Sequence, residues 1–412
     1  MREAPSVAPT VTIAVDDAEF VHEPHKALAR MRALGPIVWN RAIGMFVLTG
    51  REEVLHVLQS PSEFSSRRDV DTHEHLAPEA RAVLARGYAA TSILVNDDAP
   101  THTRLRALVN RGFTRGAIAV LEPSIQATAE ALVEPLLASS EADLVAGLAV
   151  PLPLTIICNL IGVDPVHAKQ LKDWSRSWAA LTHNRSLGAQ EQVRCARDLV
   201  DWQRFMGELV EARRSEPRDD LLSRLVESRE EGVEPLSTQE IAVFAMGLLF
   251  AGHETTANLI GNTIVNVLRH GLWERLAGNI ELVPRAIEET LRFDPPVKGM
   301  LRRATQDVDI AGVGVPRGEQ VLLSFASANR DPSRYPEPDR FDMDREEPLR
   351  HLGFGHGAHF CLGAELARLE VRAAVTSLVA RKRAPRLVDD TLSYHPSLVH
   401  RGPAALKVSW RH

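Results

Sequence analysis

Disulfides, membrane spans and basic patches are what this chain of 412 residues lacks. Its three cysteines, Cys158, Cys195 and Cys361, are an odd, sparse set. They cannot make a disulfide framework, so a reducing cytoplasm is the expected compartment. The longest apolar run, near residues 244–251, stops at Gly252-His253-Glu254. That is far short of the ~20 residues a bilayer requires. The opening segment, MREAPSVAPTVTIAVDDAEF, has no long apolar run, so neither a signal peptide nor an anchoring helix is expected in it. With 48 Lys and Arg against 54 Asp and Glu, the formal charge is −6. Nothing in that balance pulls the chain toward nucleic acid. No internal repeat or low-complexity linker interrupts it. One continuous domain over residues 1–412 is expected, as a monomer, with the Pro-containing stretch 1–25 packed loosely.

What is present is enough apolar material, 44% of residues against 25% charged, for a sizeable core. Short strands are expected at 36–40 and 45–49 around a turn, at 308–310 and 320–324, and near 406–409. Helical periodicity dominates elsewhere, over 52–59, 101–110, 118–138, 165–181 and 190–215. Two helices are signalled more firmly. Ser237 with Glu240 three residues on is a capping box. The helix it opens can run to His270, about 33 residues and roughly 50 Å. Its segment IAVFAMGLLFAG is apolar on nearly all faces, as in a helix buried through the middle of a domain. The other runs from Pro284 to the stop at Pro295-Pro296. The fold class is therefore mainly α with small peripheral β-sheets.

The segment richest in chemistry is FGHGAHFCLG, Phe354–Gly363. Glycines 353, 355 and 357 precede Cys361, Gly363 follows it, and a long helix then begins. Thiolates are favoured near helix N-termini, and small residues let backbone amides approach the sulfur. No second Cys or His stands at CxxC or HxxxH spacing, so zinc fits poorly. A single thiolate suits a cofactor that already supplies four ligands, which is haem. The competing reading is an inert, buried cysteine in a glycine-rich turn.

This decapeptide resembles the haem-binding loop of the cytochrome P450 family in its soluble bacterial form. The pattern F-G-x-G-x-H/R-x-C-x-G is matched at every fixed position. The resemblance implies Cys361 as the axial iron ligand, His359 as a haem-propionate contact and Phe354 as part of the haem cradle. It implies the P450 fold, with haem b (iron protoporphyrin IX) between the long helix and the cysteine loop.

Inside that long helix lies Ala251-Gly252-His253-Glu254-Thr255-Thr256. An acid and two hydroxyls in a buried helix are costly unless used. Ala251 and Gly252 leave room above a planar cofactor, and a Thr hydroxyl can open the helix locally. The segment resembles the family's A-G-x-D/E-T-T motif, which implies that Thr255 supports bound dioxygen and Glu254 helps deliver protons. It is not a zinc HExxH site, because position 257 is Ala. Glu289 and Arg292 share one helix face and alone indicate only an ion pair. By resemblance they are the family's structural E-x-x-R, and Arg340 matches the third member of that cluster. His102 and Arg106, four apart on a short helix, resemble the H-x-x-x-R pair that meets the propionates. Arg302 matches a further propionate arginine, with Arg303 its rival because strand neighbours face opposite ways.

The implied reaction inserts one oxygen atom of O2 into a C–H bond and reduces the other to water. No Gly-x-Gly-x-x-Gly dinucleotide motif is present, since Gly312-Val313-Gly314 is followed by Val315-Pro316-Arg317. Electrons are therefore expected from a separate ferredoxin and ferredoxin reductase, docking on Arg106, Arg111, Arg368 and Arg372. By family position the substrate pocket draws on Tyr88, Leu94, Trp178, Leu248, Met300 and Leu398, with Thr182 and Lys298 as polar handles. These suggest a hydrophobic, medium-sized molecule: a terpenoid, steroid, fatty acid or polyketide. Three other readings remain at this level. The enzyme could use peroxide or couple phenols, the protein could be a haem gas sensor, or the substrate could ride on a carrier protein. The Glu254-Thr255 pair weighs against the first two.

Overall fold

The computed structural model describes residues 8–67, 76–88, 93–183, 187–229, 234–346, 349–381 and 384–410. They are mainly helical, with small sheets. The chain, expected to be one continuous domain, groups into two compact units. One comprises Met1–Ser66, Val120–Leu152 and Glu254–His412, the other Arg67–Ala119 and Pro153–His253. The boundary between His253 and Glu254 falls inside the helix Thr238–Arg269.

The first unit holds every strand of the described residues. Its largest sheet has six strands in the order Thr10–Val11, Ile37–Asn40, Met45–Leu48, Gln320–Ser324, Gly299–Ala304 and Phe64–Ser65. Ile37–Asn40 and Met45–Leu48 form an antiparallel hairpin, with Ile37 opposite Leu48 and Asn40 opposite Met45. Both strands are buried throughout, which explains their apolar sequence up to Asn40, whose amide donates to Ile13 O at 2.9 Å. Alternate residues sort to two cores. Ile37, Trp39, Phe46, Leu48, Val321 and Leu323 join Val54, Phe64 and Leu352 on one face. Val38, Val47 and Leu322 join Phe20, Leu28 and Met31 on the other.

The N-terminal stretch is not loose where it is described. Thr10–Val11 adds a parallel strand beside Trp39 and Asn40. The Asp17 carboxylate caps the helix Ala18–His22 by accepting from Phe20 N–H at 3.1 Å. Arg401 donates to the carbonyls of Val21 and His22 at 2.8 and 3.1 Å. Residues 1–7 lie outside the described residues.

Local chemistry also divides the expected helix 118–138 into Arg115–Ala119 and Glu122–Ala138. Pro123 lacks the N–H needed to continue a helix and suits the first turn of a new one. The capping box of the long helix is realised in both directions. Ser237 N–H donates to Glu240 Oε2 at 2.8 Å, and Glu240 N–H to Ser237 Oγ at 3.2 Å.

The described residues of the second unit are helical or irregular. Trp174, Trp178, Trp202, Phe205 and Phe250 interlock there, with ring centroids 5.3 to 6.5 Å apart. Polar anchors fasten the connecting segments to Ala189–Ser215. The side-chain carbonyl of Gln192 accepts from Ala77 N–H at 2.7 Å, and that of Gln203 from Tyr88 N–H at 2.9 Å.

Candidate active site

Cys361 is half-buried and in no disulfide. Its N–H donates to Phe354 O at 2.9 Å, and Phe360 N–H to Gly357 O at 3.0 Å, so the loop closes on itself. Gly355 and Gly357 have φ of +73° and +72°, a left-handed backbone that strains any residue with a Cβ. Gly353 is required for space, since a Cβ there would lie 2.8 Å from Leu291 O. The helix Ala364–Val379 starts three residues after Cys361, so its N-terminal dipole favours the thiolate. Among the described residues no three His, Cys, Asp or Glu groups gather as metal ligands. One soft donor in a small-residue cradle fits a cofactor that brings its own remaining ligands.

The basic residues expected at the cofactor have distinct surroundings. His359 Nε2 is 3.0 Å from Ser66 Oγ, a partner with no motif to announce it. Arg302 is buried on the strand Gly299–Ala304 and donates to Leu301 O at 2.8 Å. Its rival Arg303 donates to Gly318 O at 3.1 Å in the following turn. In the second unit, His102 is buried and Arg106 half-buried on the helix Thr101–Asn110. Arg104 between them is engaged elsewhere, paired with Glu240 at 2.5 Å.

The long helix stays continuous through 251–256, without the local opening the two threonines suggested. Its accessibility is nonetheless uneven. Residues 241–246 are all buried, whereas Leu248, Gly252 and Thr255 are half-buried and Ala251 is exposed. These four lie at i, i+3, i+4 and i+7, which is one helix face. Thr255 and Glu254 are accessible, and Thr256 is buried. A Cβ at Gly252 would meet Ile157 at 3.1 Å. His253 is buried, with Nδ1 2.7 Å from Leu249 O.

The expected pocket residues divide. In the second unit Trp178 and Ile93 both flank Gly247 of the long helix. Leu94 is half-buried with φ of +33°. Tyr88 is committed to packing, because its hydroxyl occupies the space a Cβ on Gly207 would fill. Residues 89–92 lie outside the described residues. In the first unit, Met300 and Leu398 are each partly buried against one of the two cores. Neither polar handle is idle. Thr182 Oγ1 donates to Trp178 O at 2.9 Å, and Lys298 Nζ to Ser397 O at 2.6 Å.

Glu289 and Arg292 form a fully buried pair, with Nε–Oε2 at 2.8 Å and Nη2–Oε1 at 2.7 Å. Arg292 also donates to the carbonyls of Asn329, Pro338 and Arg340. Arg340 is not the third charged member, and this corrects the motif match. Its side chain is 61% exposed and reaches Glu337 at 3.2 Å. Arg345 takes that place, with Nε 3.2 Å from Glu289 Oε1. The chain doubles back to let it do so, since the carbonyls of Pro336, Glu337 and Arg340 accept from Arg345. The expected docking cations are also largely spoken for. Arg368 is bound to Glu288 and Glu365, and Arg372 pairs with Glu122. The side chain of Arg111 lies outside the described residues.

A mainly helical chain that presents one cysteine from a glycine-rich loop at a helix N-terminus has the architecture of a haem-thiolate enzyme. The family model for cytochrome P450 matches residues 273–404. The chain is 33% identical to the cytochrome P450 monooxygenase PikC of Streptomyces venezuelae over 414 residues, covering 98% of this chain and 95% of that one. It is 36% identical over 399 residues to the vitamin D(3) 25-hydroxylase of Pseudonocardia autotrophica, covering 95% and 94%. The solved structure of cytochrome P450 CREJ in complex with (4-ethylphenyl) dihydrogen phosphate matches with a TM-score of 0.87 at 33% identity, covering 95% of this chain and 98% of that one. This chain belongs to the cytochrome P450 family and is a P450 monooxygenase, a haem-dependent oxidoreductase. No helix among the described residues is long and apolar enough to cross a membrane.

Proposed function

We propose that this P450 inserts one oxygen atom of O2 into a C–H bond of a hydrophobic, medium-sized molecule, of terpenoid, steroid, fatty acid or polyketide type. Electrons come from a separate ferredoxin and its reductase, and the protein works as a cytoplasmic monomer. The observation that carries the substrate class is the accessible face of the long helix. Leu248, Ala251 and Gly252 are apolar or small, and Thr255 is the hydroxyl in line with them. Thr182 and Lys298 already donate to carbonyls, so recognition falls to shape and apolar contact. Vitamin D(3), in the name of one relative, likewise presents an apolar body, and the (4-ethylphenyl) dihydrogen phosphate of the CREJ complex joins an apolar ring to a phosphate.

Haem b would be held by Cys361, with Phe354, Ala251 and Gly252 against the macrocycle. Arg302, His359, His102 and Arg106 would meet its propionates, as paired cationic and imidazole donors suit carboxylates. When bound, the haem supplies a redox-active iron whose thiolate ligand favours O–O cleavage. Thr255 Oγ1 holds a proton by hydrogen bond on the open helix face, and the Glu254 carboxyl replaces it from the neighbouring position. Apolar side chains around Leu248 and Trp178 exclude water from the reacting C–H bond.

The test is the carbon monoxide difference spectrum of the reduced protein, with Cys361→Ala as control. A red-shifted thiolate band in the wild type, lost in the variant, is the expected result; its absence from the wild type would end this reading. Apolar compounds are then screened for displacement of water from ferric iron. Label from 18O2 should appear in the product, and label from peroxide alone would favour a peroxide-using enzyme instead.

A further inference from the structure

Behind the Cys361 loop stands a charged network with no part in the proton route. Arg368, on the helix Ala364–Val379, donates from Nε to Glu288 Oε1 at 2.7 Å and from Nη2 to Oε2 at 3.2 Å. Its Nη1 donates to Glu365 at 3.0 Å. The same guanidinium lies 4.7 Å from the centroid of the Phe354 ring, whose backbone carbonyl accepts from Cys361 N–H. His351 completes the network. Its Nδ1 accepts from Gly353 N–H at 3.1 Å, which leaves the ring proton on Nε2, 3.0 Å from Glu288 Oε2. One carboxylate on Val283–Phe293 thus grips the cysteine loop twice, through His351 and through Arg368.

The charges support each other. Burial works against ionised Glu288, yet hydrogen bonds from His351 and Arg368 bring its carboxyl down to about 2. Burial likewise opposes the charge on Arg368, but Glu288, then Glu365 and Cys361, raise its proton affinity above the ordinary value. The guanidinium, stacked on the Phe354 ring whose carbonyl accepts from Cys361 N–H, lies where it attracts an ionised Cys361, and Glu288 neutralises part of that attraction.

We infer that Glu288, His351 and Arg368 are positioning residues that set how much positive charge the Cys361 thiolate experiences, and so tune the electron affinity of the centre it ligates. This rests on Cys361 being the thiolate ligand of haem. A positive charge near the centre favours the added electron, and its counter-ion opposes it. Removing Arg368 and removing Glu288 must then act with opposite sign. A merely mechanical clamp has no such sign.

The experiment measures the equilibrium midpoint potential and the carbon monoxide difference band of the holoprotein and of R368Q, R368K, E288Q and the double variant E288Q/R368Q. The expected result is a lower potential in R368Q, a higher one in E288Q, and values near wild type in R368K and the double variant. R368K should also lose haem faster on heating, because an ammonium cannot fork onto the carboxylate. Equal or same-direction shifts in variants that keep the thiolate band overturn this inference alone. Absence of the band from the wild type overturns the assignment of Cys361 as well. Should R368Q retain no haem, E288Q decides: a raised potential supports the tuning role, and an unchanged or lowered one ends it.

Discussion

The cysteine loop and the accessible face of the long helix are built by opposite means. The loop and its supports are polar, charged and crowded. Glu289 and Arg292 are fully buried, and Gly353 and Gly357 each face a backbone carbonyl within 3.1 Å of where a Cβ would sit. The helix face is small and apolar, with one hydroxyl. A thiolate needs one fixed geometry, which only directional bonds and steric exclusion can impose. A hydrophobic substrate needs a shaped, dry surface, and many residue sets can make one.

The sharpest break of that contrast is to remove a directional contact on the loop side. Arg292→Ala strands a buried carboxylate, which costs about 3–5 kcal/mol. Little or no haem-loaded protein should be recovered. Arg345→Gln removes the third charge but leaves the pair and should cost about 1–2 kcal/mol. Arg340→Gln touches an exposed surface pair and should stay within about 0.5 kcal/mol of wild type. The yield of haem-loaded protein reads the first, and thermal unfolding with absorbance at the haem band ranks the other two. Equal effects of Arg340 and Arg345 would contradict the assignment of Arg345 to the cluster.

On the helix side the loss should be in chemistry, with stability spared. Thr255→Ala should lower product formed per electron consumed by about ten-fold or more, a proton-delivery effect, while the melting temperature barely moves. Thr256 is buried, so Thr256→Ala should cost stability and leave that ratio nearly intact. Simultaneous electron-consumption and product assays separate the two. Smaller again is the pocket. Trp178→Ala should weaken binding of a screened ligand several-fold, because a half-buried aromatic contributes about 1–2 kcal/mol of contact. Tyr88→Phe should leave that affinity unchanged, since the Tyr88 ring packs against Gly207.

The same contrast explains what could be read from residue order. Phe354–Gly363 and Glu289–Arg292 are legible because positive φ at Gly355 and Gly357 and buried charge at Glu289 and Arg292 restrict those positions to one or two residue types. The long helix was legible through its capping box and unbroken apolarity, and it ends within one residue of the expected limits. Arg345 was missed because its approach to Glu289 depends on the chain doubling back over residues 336–345, which leaves no periodic trace. Ser66 is likewise brought to the loop, and Glu288 to His351, by tertiary folding alone. The packing of the Tyr88 hydroxyl leaves no trace in residue order either, because it depends on the bare Cα of Gly207, far along the chain.

A separate, pH-dependent effect sits in Lys298, buried in the first unit. Its ammonium is buried 4.4 Å from the Phe20 ring centroid and donates to Ser397 O at 2.6 Å. Burial, helped by repulsion from Arg401, brings its pKa down to about 7 from 10.5, and attraction to Asp294 offsets only part of that. A lysine depressed on folding binds its proton more weakly in the native state than in the unfolded one. Its penalty is therefore fully present below about pH 7 and is relieved as pH rises toward the unfolded value. The slope is at most about 1.4 kcal/mol per pH unit. Lys298→Met keeps the stem and removes the titration. The variant should be the more stable near pH 6, and its advantage over wild type should shrink steadily between pH 7 and 10. Urea unfolding of both proteins at several pH values measures that difference with other titrations cancelled. An advantage that is flat across the range would show that the amine is solvated, with its carbonyl and ring contacts making up for burial.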